Sequence, residues 1–256
     1  MHQVILYSLR LVNIANYYWL KWLEQFQSVP AWTRELGRYF QTKPAKILAA
    51  YRRKQPKANN LWEKKNRKNL AAIFSFYRET DYFIYRQCFY NQFNVWWELA
   101  WLMRRKQKGR MLEYGAGIGP VTNWLIKKFP GWEYVLVDLD CPASSFSRWR
   151  FRKLKQVSFI TVKSLTPPVT GEFDIIVARN VLEHVPNPLT VVQTMINHLS
   201  PGGWLMADFI DSPGGENLDS SYRQRGKTLA LLKTRLKPIF TIYSDGKDAG
   251  YGLYRK

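Results

Sequence analysis

Three glycines at alternate positions, Gly115, Gly117 and Gly119, lie in the stretch RMLEYGAGIGP from Arg110 to Pro120. Met111 and Leu112 read as a short buried strand with Glu113 at its carboxyl end. The glycines then let the backbone turn sharply and approach a ligand without Cβ clashes. Pro120 suits the first turn of a helix, where its missing N–H costs nothing. A strand that runs through such a turn into a helix can hold a nucleoside cofactor; an ordinary tight strand-to-helix turn is the plainer reading. A dinucleotide fingerprint would need its third glycine at the position of Pro120, whereas here it comes one residue early, so pyrophosphate binding is disfavoured.

Further groups come in order at short α/β spacings: VLVDLD at 135–140, FDIIVARNVLEHVPNP at 173–188 and LSPGGWLMADF at 199–209. With the glycine turn, this set resembles the class I S-adenosylmethionine-dependent methyltransferases, in particular the small-molecule type with an LEHV signature, from roughly Gly109 to Lys256. The resemblance implies S-adenosylmethionine as cofactor and a set of positions for it. Glu113, Gly115, Ala116, Gly117 and Gly119 would lie under its amino-acid part. Asp138, 23 residues after Gly115, would accept from both ribose hydroxyls, and alternation along the strand prefers it to Asp140. Leu139 would pack on the adenine. At the adenine-reading position, where many relatives carry an acidic residue and then a small one, this chain has Lys163 and Ser164. Arg179 and Asn180 would face the methionine end and the acceptor. Glu183 and His184 either help build the site or supply a base, for which His184 is the candidate.

Methyl transfer from a sulfonium is a direct displacement from an already reactive donor, so the protein mainly supplies alignment and exclusion of water. A strong catalytic constellation is not required, and the sequence offers no Ser-His-Asp pattern, Walker loop or metal-ligand cluster.

The elements that must position these residues alternate as a doubly wound α/β sheet should. Strands are expected at 110–114, 133–138, 157–162, 173–178, 203–210, 238–243 and 250–255, and helices at 120–129, 143–154, 188–199 and 220–235. Apolar strands flanked by helices imply a buried, mostly parallel seven-stranded sheet of Rossmann-like type. The last two strands, joined around Gly246 to Gly250, read as a hairpin that contributes the antiparallel strand of the methyltransferase fold. An N-terminal helical extension precedes them, with the division set at Gly109: a basic, aromatic-rich cap over 1–108 and the cofactor-binding domain over 109–256.

The net charge of +20 is concentrated in that extension. Residues 1–110 carry 21 Lys/Arg against 6 Asp/Glu, hence +15, with seven of the eleven tryptophans. A solvated basic surface or an anionic partner would each account for it. Residues 3–26 read as an amphipathic helix with an aromatic end at Tyr17, Tyr18, Trp19 and Trp22. Its polar residues interrupt any run long enough to span a membrane, and no secretory-signal pattern is present. Pro30 and Pro44 then divide the chain into short helical pieces. RRKQPKANNLWEKKNRKN at 52–69 is the most basic stretch. From Leu70 a helical pattern resumes, with Ile84, Cys88, Val95, Leu99 and Leu102 on one side, Asp81 able to cap its start, and Gly109 stopping it. In proteins of this resemblance an N-terminal helical segment often covers the cofactor, which nominates Tyr82 and Tyr85 as acceptor-pocket residues. Cys88 and Cys141 lack a CxxC partner and read as packed or incidental thiols of a reducing, cytoplasmic compartment.

Three functions are expected from these features. The first is methylation of a small or lipid-linked metabolite, with a possible anionic membrane surface as partner. The second is RNA methylation, served by the basic N-terminal half. The third is a non-catalytic protein that retained the cofactor fold. RNVL after the fourth strand is not the Asn/Asp-Pro-Pro-aromatic motif of exocyclic-amine methylation, and no Pro-Cys nucleophile occurs there.

Overall fold

The computed structural model describes residues 2–24, 30–65, 70–164, 166, 168–209, 217–243 and 250–256. The chain divides into two units. One takes in Met1–Leu102, Gly117–Lys128 and Asp140–Lys153, the other Met103–Ala116, Phe129–Leu139 and Leu154–Lys256.

The first unit is helical: α1 (His2–Glu24), α2 (Ala31–Tyr39), α3 (Pro44–Lys64), α4 (Leu70–Glu79), α5 (Tyr82–Asn91), α6 (Trp97–Met103), α7 (Pro120–Leu125) and α8 (Pro142–Phe151). Its core is built from Leu36, Ile47, Trp62, Phe76, Ile84, Leu99 and Phe146, all buried. Aromatic rings meet edge-on or tilted within it, as Trp32 does with Tyr51 and Phe89. Such pairs add about 0.5–1.5 kcal/mol each beyond the area they bury.

Several local readings change here. The pattern resuming at Leu70 is three helices, not one. Asp81 stands at the N-cap position of α5 without a side-chain capping bond; its carboxylate instead receives Lys54 Nζ at 2.6 and 2.9 Å. The Thr80 hydroxyl takes the Tyr82 N–H in its place, at 3.1 Å. Helix α3 runs for 21 residues straight through Pro56. That proline is exposed, so the carbonyl it leaves without an N–H can turn to water. In the basic stretch Arg52, Arg53, Lys57 and Lys64 are exposed, while Lys54 is paired with Asp81 and Lys65 with Glu79. Arg67 and Lys68 lie outside the described residues.

Helix α1 is held by its polar side. Buried Asn13 donates from its amide to Glu98 of α6, and Arg10 Nη1 lies 3.7 Å from the same carboxylate, which is wholly inaccessible to solvent. Leu6 is buried on that side too, and Tyr17 packs edge-on against Phe93.

The second unit contains a seven-stranded sheet in the order β3-β2-β1-β4-β5-β7-β6. Its strands are β1 (Arg110–Tyr114), β2 (Glu133–Asp138), β3 (Val157–Thr161), β4 (Phe173–Ala178), β5 (Leu199–Phe209), β6 (Lys237–Tyr243) and β7 (Gly250–Arg255). β1 to β5 pair in parallel, and β7 lies antiparallel between β5 and β6. This is the doubly wound, mostly parallel sheet expected. Consecutive residues Tyr134 to Val137 are all buried, which is why central strands read as unbroken apolar runs rather than alternating ones. The helices α9 (Pro188–Asn197) and α10 (Asp219–Arg235) pack on each other in this unit.

β5 starts four residues before its expected position, with a register shift against β4 between Phe173 and Ile175 across which the SPGG segment has no partner on β4. The turn joining β6 to β7 falls outside the described residues. Gly109 does not stop a helix, because α6 ends at Met103. A Cβ at Gly109 would lie 2.8 Å from the Trp132 ring and from Asp174, so close packing demands the glycine.

Because Glu98 is the buried anchor of α1, Glu98→Ala should destabilise the protein by about 3–5 kcal/mol, the usual cost of stranding the partners of a buried charge. Amide exchange in α1 should accelerate with it. A urea midpoint equal to wild type would show that α1 is held otherwise.

Candidate cofactor and acceptor site

At the carboxyl end of β1, Glu113 is buried and Tyr114 follows it. Burial first, and then the charge of Asp138, push the Tyr114 phenol well above its ordinary value. Gly115 takes φ +64°, and a Cβ there would lie 2.3 Å from Val181 Cγ2. The turn is pinned to β2: the N–H groups of Gly115 and Ala116 both donate to Val137 O, at 2.8 and 3.1 Å. Asp138 ends β2 half-buried, with Oδ1 accepting the Leu139 N–H at 2.6 Å; Leu139 is half-buried as well. Past β3, Lys163 and Ser164 are exposed, and the Ser164 hydroxyl donates to Thr166 O at 3.0 Å.

After β4, Arg179 and Asn180 converge on one acid. Arg179 Nε donates to Asp208 Oδ2 and the Asn180 N–H to Asp208 Oδ1, each at 2.5 Å. The Arg179 guanidinium also lies 4.8 Å from the centre of the Tyr251 ring. Asn180 adopts φ +50°, a left-handed conformation that asparagine tolerates better than most residues. The LEHV segment forms a single 3-10 turn over Leu182–His184. Its carbonyls are tied to the start of α10: Leu182 O accepts the Ser221 hydroxyl at 2.7 Å and Glu183 O the Leu218 N–H at 2.9 Å. The Glu183 side chain is 1 % exposed, neither carboxylate oxygen has a hydrogen-bond partner, and His184 Nε2 lies 3.7 Å from Oε1. Desolvation raises its carboxyl to about 7, the charge of Asp208 adding to the rise while His184 and Arg179 oppose it.

The rest of the glycine turn belongs to the first unit. Gly117 and Gly119 take φ +52° and +67°, and Gly119 directly precedes Pro120 at the start of α7. A Cβ on Gly117 would meet the Gln87 carboxamide oxygen at 2.1 Å. Tyr82 and Tyr85 are buried in this unit's core, Tyr82 stacked on Tyr51 and Tyr85 on Phe40. Burial, reinforced by Asp81, pushes the Tyr85 phenol up to about 12, so it stays a neutral O–H donor. The buried Cys88 and Cys141 are free thiols.

Asp208 and Gln87 were not nominated from sequence. Asp208 could have been, since it is an acid near the carboxyl end of a strand, the criterion that selected Asp138. Gln87 carries no such local mark.

A family model described as a methyltransferase domain matches residues 96–243, more than half of the chain. The chain belongs to this family, the class I S-adenosylmethionine-dependent methyltransferases. Among curated proteins, a methyltransferase of Strobilurus tenacellus, str3, is 37 % identical over 131 residues, covering 50 % of this chain and 45 % of that protein. A ubiquinone biosynthesis O-methyltransferase of Paracidovorax citrulli is 26 % identical over 121 residues, covering 44 % and 49 %. The chain thus spans about half the length of the curated relatives it matches. Of solved structures, the N-methyltransferase NodS of Bradyrhizobium japonicum with S-adenosyl-l-homocysteine superposes with a TM-score of 0.44 at 20 % identity, covering 61 % of this chain and 84 % of that one.

Glu183 makes a pH-dependent contribution with a definite sign. A carboxyl raised in the folded state, from 4.5 to about 7, binds its proton more tightly folded than unfolded. The stability this gives is complete below about pH 4.5 and is lost as pH rises through 7. Glu183→Gln is neutral throughout, so its unfolding free energy relative to wild type should climb between pH 5 and pH 8. Urea titrations at four pH values in that range measure this, and a pH-independent difference would place Glu183 in a better-solvated setting.

Proposed function

We propose that this protein transfers the methyl group of S-adenosylmethionine to an O, N or C atom of a small or lipid-linked metabolite. The observation that carries the reading is the glycine turn: three positive-φ glycines leaving β1 in a chain that belongs to a methyltransferase family. The residues present fit the cofactor. Asp138 is a half-exposed carboxylate at the adjoining strand end, suited to accepting from two ribose hydroxyls, and Glu113 is a carboxylate beside the turn, suited to orienting an ammonium. When bound, the cofactor supplies an electrophilic methyl on a sulfonium. The chain's own contribution is then alignment and exclusion of water, with His184 able to hold the proton an O–H or N–H acceptor gives up. A relative of ubiquinone biosynthesis supports a small or lipid-linked acceptor.

Calorimetry should detect binding of S-adenosylmethionine and of its demethylated product. Asp138→Ala should weaken that binding by about 1–3 kcal/mol through lost charge-assisted hydrogen bonds. Unchanged affinity in a folded variant would remove Asp138 from the site.

The lipid-linked form of the proposal rests on α1. The side of this helix that is not anchored presents Val4, Tyr7, Leu11, Val12, Tyr18, Trp19 and Trp22 to solvent, Trp19 and Trp22 being 59 and 49 % exposed and stacked at 5.3 Å. Of the helix's charged residues, Arg10 lies on the anchored side beside Glu98, Lys21 falls between Trp19 and Trp22 in the chain, and Glu24 is the one acid. An apolar helical face with aromatic residues at one end, in a segment of excess positive charge, matches the interface of an anionic bilayer. Among the described residues no helix is long and apolar enough to cross a membrane, so the helix would lie in the plane. Vesicles containing phosphatidylserine should bind the protein more tightly than pure phosphatidylcholine, and Trp19→Ser with Trp22→Ser should release it without changing the unfolding midpoint. Failure to bind such vesicles at low salt, or salt-sensitive binding of RNA instead, would overturn the membrane assignment.

A further inference from the structure

We infer that the second half of the glycine turn is held from outside by a side-chain clamp, Gln87, Arg150 and Glu35, and that this clamp sets cofactor affinity, which rests on the cofactor reading proposed for the turn. The clamped residue is Ile118, whose N–H and carbonyl belong to successive peptide groups between two positive-φ glycines. Its N–H donates to Gln87 Oε1 of α5 at 2.9 Å, and its carbonyl accepts from Arg150 Nη1 of α8 at 2.7 Å. Arg150 is locked in turn: Nε and Nη2 donate to the two oxygens of Glu35 on α2, at 2.7 and 2.6 Å, and the guanidinium lies 4.7 Å from the centre of the Phe146 ring. The Arg150 side chain is only 8 % exposed and that of Glu35 27 %, so this two-pronged ion pair is partly shielded from water and keeps more of its strength than a fully exposed pair.

A backbone N–H at Ile118 requires an acceptor, which fixes the Gln87 carboxamide with its oxygen inward. That carboxamide occupies the volume a Cβ of residue 117 would need, so a larger residue there would have to displace the end of Gln87 as well as adopt φ +52°. Gly117 and Gly119 would otherwise leave the segment with wide conformational freedom, and ordering it costs about 1–2 kcal/mol per residue. A clamp that meets this cost during folding leaves less for the ligand to supply. Gln87, Arg150 and Glu35 are therefore positioning residues acting through the Ile118 backbone.

Gln87→Met keeps the length and packing of the side chain and removes the acceptor. Two readouts separate a role in binding from a purely structural one: amide exchange at Ile118 without ligand, and calorimetry with S-adenosylhomocysteine. The expected result is faster Ile118 exchange, a dissociation constant raised about tenfold, equivalent to 1.4 kcal/mol, and an unfolding midpoint lowered only by the loss of one hydrogen bond, with the protein still fully folded under the binding conditions. Arg150→Lys, which keeps the charge and loses the fork, should act in the same direction and serves if the first variant does not fold. Faster exchange with unchanged affinity would overturn the clamp's role in binding, and unchanged exchange would overturn the clamp itself. Absence of any binding by the wild-type protein would instead sink the cofactor reading, while the exchange measurement still reports on the clamp.

Discussion

Between the end of β1 and the start of α7 the backbone must pass from a buried strand into a helix within five residues, and it does so by placing Gly115, Gly117 and Gly119 at positive φ. An L-residue with a side chain is disfavoured at each, but the backbone angle is only part of the constraint. Val181 closes on Gly115 and Gln87 on Gly117, so the space beside two of the three glycines is filled by protein. Three of the turn's peptide N–H groups are also spoken for: those of Gly115 and Ala116 by Val137 O, and that of Ile118 by Gln87. The turn's course is thus fixed by protein contacts as well as by its glycines.

The polar groups at the strand ends divide by what satisfies them. Asp208 is consumed by the protein, receiving Arg179 and the Asn180 N–H, and so fixes the course of the chain as it leaves β4. Arg179 is thereby held on its own sheet, against Asp208 and Tyr251. Glu183 is the opposite case, a buried carboxyl without a hydrogen-bond partner that burial drives toward its neutral form. A carboxyl in that condition is costly to bury. The backbone of the same residue is meanwhile well used, its carbonyl receiving the Leu218 N–H just before α10.

In the helical unit, charge is less idle than composition suggests. Lys54, Lys65 and Arg150 each have an acidic partner, and Arg10 and Asn13 share Glu98. What stays exposed includes one face of α3, with Arg52, Arg53 and Lys57, and the apolar side of α1. Exposed large apolar side chains gathered on one helix face are the informative exception to ordinary burial, since scattered ones need no explanation.

The strands were legible because a buried parallel strand is a local pattern: an apolar run bounded by turn residues. β1, β2, β4 and β7 begin and end where that pattern does. The glycine turn, Pro120 after it and Asp138 at a strand end were legible for the same reason, since each residue type answers a constraint set by its immediate neighbours. Asp81 and Gly109 were harder, because each has a second plausible use and the choice depends on a distant partner: Lys54 for Asp81 and Trp132 for Gly109. Sequence by itself therefore determined the sheet, its alternation with helices and the backbone of the glycine turn, all of which arise from hydrophobic periodicity and φ preference. Only the tertiary structure decided which side chains hold that turn. Gln87 lies 31 residues from Ile118 and Glu35 115 residues from Arg150, and no local periodicity encodes a hydrogen bond across such a distance.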